Sequence, residues 1–275
     1  MKTVLAAARL FLILFLLPLA LHGVWWMTQD HPASWSRADW TSAELLTPAA
    51  STQEALVHVY SAPLGRWKGA FSHHAWIVVK EKGASKYTRF DVVGWGQPLR
   101  TNGWAADARW FGNTPQLVAE VSGPEAEQLI PRVRQAVADY RHGRLGDYRV
   151  WPGPNSNSFV AAILAEIPEA RIVLPSNAVG RDFRGTPFYV GLSPTQTGFQ
   201  FSLLGLFGLT VAWHEGVEVN VLGLVTGFDI RRLSVKLPGW GPLTLLPWLS
   251  AGSDLSIEVQ GIDPDTLHPP KESAA

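Results

Sequence analysis

The sequence predicts an α+β domain carried behind one N-terminal membrane helix. Three observations predict it. A long apolar run opens the chain, strand-patterned segments then give way to a well-capped helix, and the last third is rich in glycine and nearly uncharged.

The apolar run sets the address. Lys2 and Arg9 lie in the first nine residues with no acid among them, and Leu10–Leu21 is apolar, broken only by Pro18. Val4 to Trp26 is long enough to cross a bilayer with some tilt, and Arg9 can snorkel back toward the near surface. A positive start followed by an apolar stretch places the N-terminus inside, and Trp25 and Trp26 fall where indole rings prefer the far interface. A cleaved signal peptide is the competing reading, but Ala20-Leu21-His22 is a poor cleavage site. Residues 1–27 therefore read as an anchor or signal segment. The expected location is a bacterial inner membrane, crossed once, with the main domain on the extracytoplasmic side and membrane lipid as first partner.

Composition narrows the rest. Of 275 residues, 23 are basic and 23 acidic, so no basic excess exists to attract nucleic acid. The chain has no cysteine, which excludes disulfides, thiolate metal sites and a thiol nucleophile. Trp is abundant at 13 and charged residues are only 17%, an apolar balance for a domain of this size.

Residues 28–54 are polar, with Pro32 and Pro48, and read as a linker with Trp35 and Trp40 available for docking. Residues 55–262 read as one exported domain. Residues 55–61, 73–80, 87–93 and 116–121 carry strand patterns, and Gly83 marks a hairpin turn between the second and third. Ser122, Pro124 and Glu125 then signal a helix start. Ala126, Leu129, Ile130, Val133, Val137 and Tyr140 make its apolar face, and Gly143 ends it. A second helix is expected from Asn157 to Glu166, before Pro168. Residues 170–262 form a β-rich extension. Within it, 198–213 and 216–230 echo each other through Leu204-Gly205-Leu206 and Leu222-Gly223-Leu224, and read as one long hairpin around His214 and Glu215. Residues 263–275 form a flexible tail. The uncharged hairpin is also a candidate for resting on the membrane.

Two segments hold chemistry. Ser72-His73-His74-Ala75-Trp76-Ile77 opens a strand, and Trp151-Pro152-Gly153-Pro154-Asn155-Ser156-Asn157-Ser158-Phe159-Val160 leads into a helix. A hydroxyl at a helix N-terminus gains from the helix dipole and from free N–H groups, and a histidine on a neighbouring strand can serve as its base. The plainer reading is that Asn155, Ser156, Asn157 and Ser158 only cap the helix. His73 and His74 are adjacent on a strand and point to opposite faces, so they cannot chelate together. His214 and Glu215 read as turn residues, and no metal or cofactor site is read from the sequence.

The order of strand histidine, polar strand residue, helix and Asn-x-x-x-Phe-Val helix start resembles the circularly permuted papain-like enzymes. These include the NlpC-type peptidoglycan peptidases and lecithin retinol acyltransferase. The resemblance covers residues 55–167. It implies a core of antiparallel sheet and two helices, with Ser156 in the nucleophilic cysteine position, His74 (or His73) as base, and Asp91 orienting the imidazole. Asn155, Asn157, His73 and Trp76 are then expected to contact ligand. The segments 152–159, 197–200, 215–223 and 236–239 are together similar to an uncharacterised bacterial family known as domain of unknown function 3750, which implies kinship and no activity. Two functions stay open. One is a serine-dependent or degenerate hydrolase or acyltransferase acting on an amide or ester of cell wall peptide or lipid. The other is a non-catalytic envelope module that binds through the same cleft. A serine lacks the resting ion pair of a cysteine site and needs concerted base catalysis.

Overall fold

The computed structural model describes residues 2–245, and the expected tail, with the end of the β-rich extension, lies outside them. The first element, α1, runs Lys2–Met27 and is long and apolar enough to cross a membrane. Its middle, Leu12–Leu16, widens into a π-helical turn just ahead of Pro18. A proline ring clashes with the carbonyl four residues earlier, and a wider turn accommodates it.

The first sheet has five antiparallel strands in the order β4-β3-β2-β1-β5. They are β1 (Leu56–Pro63), β2 (His73–Lys80), β3 (Thr88–Val92), β4 (Leu99–Thr101) and β5 (Gln116–Ser122). Two helices, α2 (Gly123–Ala138) and α3 (Ser156–Ala165), cover one face. That face carries Val57 and Val59 of β1, Ala75, Ile77 and Val79 of β2, and Phe90 and Val92 of β3, packed on Leu129, Val133, Phe159 and Ile163. Helix α2 ends at Ala138, earlier than Gly143, and leaves Tyr140 to pack edge-on against Phe159 at 4.9 Å. β4, at three residues too short to show a periodicity, was not legible as a strand.

The opposite face is not open to solvent. Tyr60, Trp76, Val78, Val93 and Trp110 form a second core there, with Trp40, Leu46 and Trp104 packed on it. Residues 28–54 are consequently docked and do not span freely. Trp40 meets Trp110 edge-on at 5.1 Å, and Asp107 accepts hydrogen bonds from Ser42 Oγ and the Leu45 backbone. Both faces of β2 are buried along its whole length.

The expected long hairpin proves to be a larger structure. A seven-stranded antiparallel meander follows, with strands adjacent in chain order. Its strands are β6 (Phe188–Leu192), β7 (Gly198–Leu203), β8 (Phe207–Ala212), β9 (Gly216–Val221), β10 (Leu224–Asp229), β11 (Ser234–Leu237) and β12 (Gly241–Thr244). The two Leu-Gly echoes are the turns of the β7–β8 and β9–β10 hairpins, and the β8–β9 turn at residues 213–215 lies between them. Leu222 and Gly223 both take positive φ, 58° and 85°, as a two-residue hairpin turn twisted to match its strands requires. Leu204 and Gly205, in the three-residue turn between β7 and β8, also take positive φ, at 57° and 71°.

The end of α1 is fastened to the domain. Pro18, His22 and Trp26, spaced by four, form its buried stripe. Trp26 Nε1 donates to Arg66 O at 2.9 Å, and Trp240 Nε1 donates to Pro18 O at 3.0 Å. The fit depends on two glycines. A Cβ on Gly69 would sit 2.2 Å from the Trp26 ring, and one on Gly239 would sit 2.7 Å from His22 Nδ1.

Candidate functional site

Helix α3 begins in a full capping box. The Asn155 side chain accepts from the Asn157 and Ser158 backbone N–H groups, and Ser158 Oγ accepts from the Asn155 N–H at 2.7 Å. Asn155 Nδ2 also donates to Val150 O and Val179 O, each at 3.1 Å. Asn157 Nδ2 donates to His73 O and Val179 O, each at 2.8 Å. Both NH2 groups are thus spent inside the protein, joining helix, β2 and the loop around Val179, while the buried Asn157 Oδ1 has no partner among the described residues. Ser156 takes the first helical position and is buried, and its hydroxyl makes no hydrogen bond among the described residues.

His74 goes elsewhere. It shares a face with Trp76, on the side of the sheet away from α3, and stacks on Trp110 at 3.7 Å between ring centroids. Its Nε2 donates to Asp91 Oδ1 at 2.8 Å. Arg89 Nε donates to Asp91 Oδ2 at 2.5 Å, and its guanidinium lies 4.0 Å from the centroid of Trp76. Burial alone would raise the Asp91 pKa, but the Arg89 charge and the His74 hydrogen bond hold it below the usual carboxylate range. Burial lowers the His74 pKa against the pull of Asp91, so the ring is neutral. The sequence paired His74 with Asp91, and the structure brings them together. It does not bring them to Ser156, because strand alternation turns position 74 away from the helix. The Ser156–His74 pair is not formed. Trp76 is fully buried, with Nε1 donating to Ala106 O, and offers no surface to a ligand.

His73 is the histidine on the helix side. Its Nδ1 lies 2.9 Å from Ser61 Oγ and its Nε2 lies 3.1 Å from Asn177 Nδ2. With Asn177 donating to Nε2, the ring proton sits on Nδ1 and is given to Ser61. Burial, with a smaller contribution from His22, lowers the His73 pKa to about 4. Ser61 and Asn177 were not singled out in the sequence. Ser61 is one of two polar residues in an otherwise apolar strand, and Asn177 lies in a loop with no motif.

His73 and Asn177 open onto a cleft of about 490 Å³. Leu117 of β5, the loop at Leu174–Asn177 and the β11–β12 region around Trp240 form three of its sides. His22, Trp25 and Trp26, the end of α1, form the fourth. Trp25 stacks on Trp240 at 5.6 Å. Lys236, also in the lining, pairs with Glu218, which pairs at the same time with Arg181. No group of three or more His, Asp or Glu side chains is placed to hold a metal ion among the described residues.

Residues 54–183 match the family described as protein of unknown function (DUF3750). The match takes in the five-stranded sheet, both covering helices and the loop that carries Asn177. It ends before the meander, so the similar segments at 197–200, 215–223 and 236–239 lie beyond it. No curated protein and no solved structure matches the chain.

Proposed function

We propose that this protein is a membrane-anchored binding module whose cleft receives an amphiphilic ligand, a lipid or lipid-linked molecule of the cell envelope. One observation carries the reading: a wall of the cleft is the end of the apolar helix. A ligand in the cleft would lie level with the membrane surface. Trp25, Trp26, Trp240 and Leu117 would take its apolar part, and His73 with Asn177 its polar part. Sites of this kind are mostly apolar with a few convergent polar groups.

The test is photo-crosslinking of the full chain in native-lipid particles with a phospholipid carrying a diazirine on its acyl chain, mapped by mass spectrometry. Cross-links at Leu117, Trp240 and the 174–177 loop are expected, and they should weaken in Leu117→Trp, which fills the cleft. Cross-links confined to the outward side of α1 or to the meander, unaffected by that substitution, would overturn the reading.

A hydrolase or acyltransferase acting on the same class of ligand is the second reading. It is favoured by the bond from Asn157 to the His73 backbone, which ties the first turn of α3 to the strand bearing the helix-side histidine. His73, not His74, is then the base. A fluorophosphonate that labels wild type but not Ser156→Ala or Ser61→Ala would support it, and no labelling of any of the three would count against a serine nucleophile.

A further inference from the structure

The meander is built with its sides reversed. In an ordinary one-sided sheet the apolar face packs on the core and the polar face meets water. Here Gln200 and Ser202 of β7, Thr210 of β8, and Glu218 and Asn220 of β9 are buried. They face Asp182, which accepts from Gln200 Nε2 at 3.1 Å and from Asn220 Nδ2 at 2.7 Å, and Arg181, which pairs with Glu218. The alternate residues point outward, and they are apolar. Phe199, Leu203, Phe207, Leu209, Val217 and Val219 are all exposed on one continuous face, and Phe188, Val190 and Leu192 extend it along β6. A patch crossing four strands is more than the scattered apolar residues a soluble monomer ordinarily shows.

Helix α1 meets the same sheet. Its π-helical turn, bearing the buried Phe15, packs against β10. The register pairs Thr226 with Val219, which places Thr226 on the outward face, and Thr226 is nonetheless buried. Leu12–Leu16 is the middle of the Lys2–Met27 helix. The apolar face therefore adjoins the helix at mid-span depth and continues sideways from it, onto β9, β8, β7 and β6.

We infer that the outward face of the meander lies in the acyl-chain region of the bilayer, as a second membrane contact beside the helix. Acyl chains fit this face by chemistry and by its continuity with α1, and the buried network beneath supplies the polar groups that lipid could not satisfy. The strands do not cross the membrane. They hold four to six residues each, whereas a spanning strand needs about 9–11. The meander thus enters one leaflet from the side of the folded domain. This inference is independent of what the cleft binds.

The chain has no cysteine, so single labels can be placed cleanly. The full chain would be reconstituted in phosphatidylcholine vesicles with an environment-sensitive NBD fluorophore at Leu209→Cys or Val219→Cys, and at Gln128→Cys on α2 as reference. Labels at 209 and 219 are expected to shift to the blue, to be quenched by acyl-brominated lipid and to be shielded from aqueous iodide, while the label at 128 stays wet. Iodide access at 209 and 219 equal to that at 128, without lipid quenching, would overturn the inference. Shielding from both quenchers would overturn it too, and would assign the face to a protein partner.

Discussion

Replacing His73 by Gln should remove much of the protein's sensitivity to acid. In the folded chain His73 is neutral, with a pKa lowered from 6.5 to about 4 by burial. Once unfolded it titrates at its ordinary value. Between those values the unfolded chain binds a proton that the folded chain refuses, so folding loses stability as pH falls. The contribution is fully present above pH 6.5 and is lost as pH falls toward about 4. At about 1.4 kcal/mol for each pKa unit, the loss by pH 4 is about 3 kcal/mol. Gln cannot titrate, and it can still bond to Ser61 or Asn177. The assay is urea denaturation of wild type and His73→Gln in the same micelles at pH 7 and pH 4, followed by tryptophan fluorescence. The wild-type advantage should shrink by about 3 kcal/mol between the two pH values. The comparison isolates His73, because His74 and His214 titrate alike in both proteins. A difference that stays constant within about 1 kcal/mol would refute the claim that His73 is buried and neutral.

Asp91→Asn should cost about 3–5 kcal/mol in the same assay, because it strands the buried Arg89 charge, and a loss under about 1 kcal/mol would contradict the described network. Asn155→Ala should cost about 2 kcal/mol, through the lost cap and the carbonyls it serves. Ser156→Ala should stay within about 0.5 kcal/mol, since its hydroxyl has no partner among the described residues, and equal losses for the two would show the capping assignment to be wrong. Gly239→Val should push His22 out of its seat, and amide exchange at residues 22–27 should speed up relative to wild type; unchanged protection there would mean that the helix end does not depend on this contact.

The core was readable where periodicity and caps coincide. β2 and the start of α3 lie where the alternation, the Pro-Gly-Pro turn and the Asn cap place them. Alternation also separates His73 from His74, but it does not say which of them meets the helix. Ala75, Ile77 and Val79 are as apolar as Trp76 and Val78, so β2 alone has no inside and no outside. β3 held the missing sign. Phe90 and Val92 sit on one side and Arg89 and Asp91 on the other, and a histidine bonded to Asp91 must share the second side. The cleft had no local signal, since Pro18 and Trp240 meet across almost the whole chain. The meander was misread for a different reason. Leu204-Gly205 and Leu222-Gly223 are turns, but leucine is rare at positive φ, so both read as strand interior and four strands read as one long hairpin.

The seat of α1 on Gly69 and Gly239 makes the apolar helix and the cleft a single object. A protease that severed the chain between His22 and Trp26 would do more than free a soluble domain. It would take His22 out of the cleft wall and the Leu12–Leu16 turn away from β10, leaving Trp26 on Arg66 and the receptacle open beside it. Under the proposed function, retention and binding are therefore coupled through the same turns of helix, and a released form is a different molecule from the tethered one.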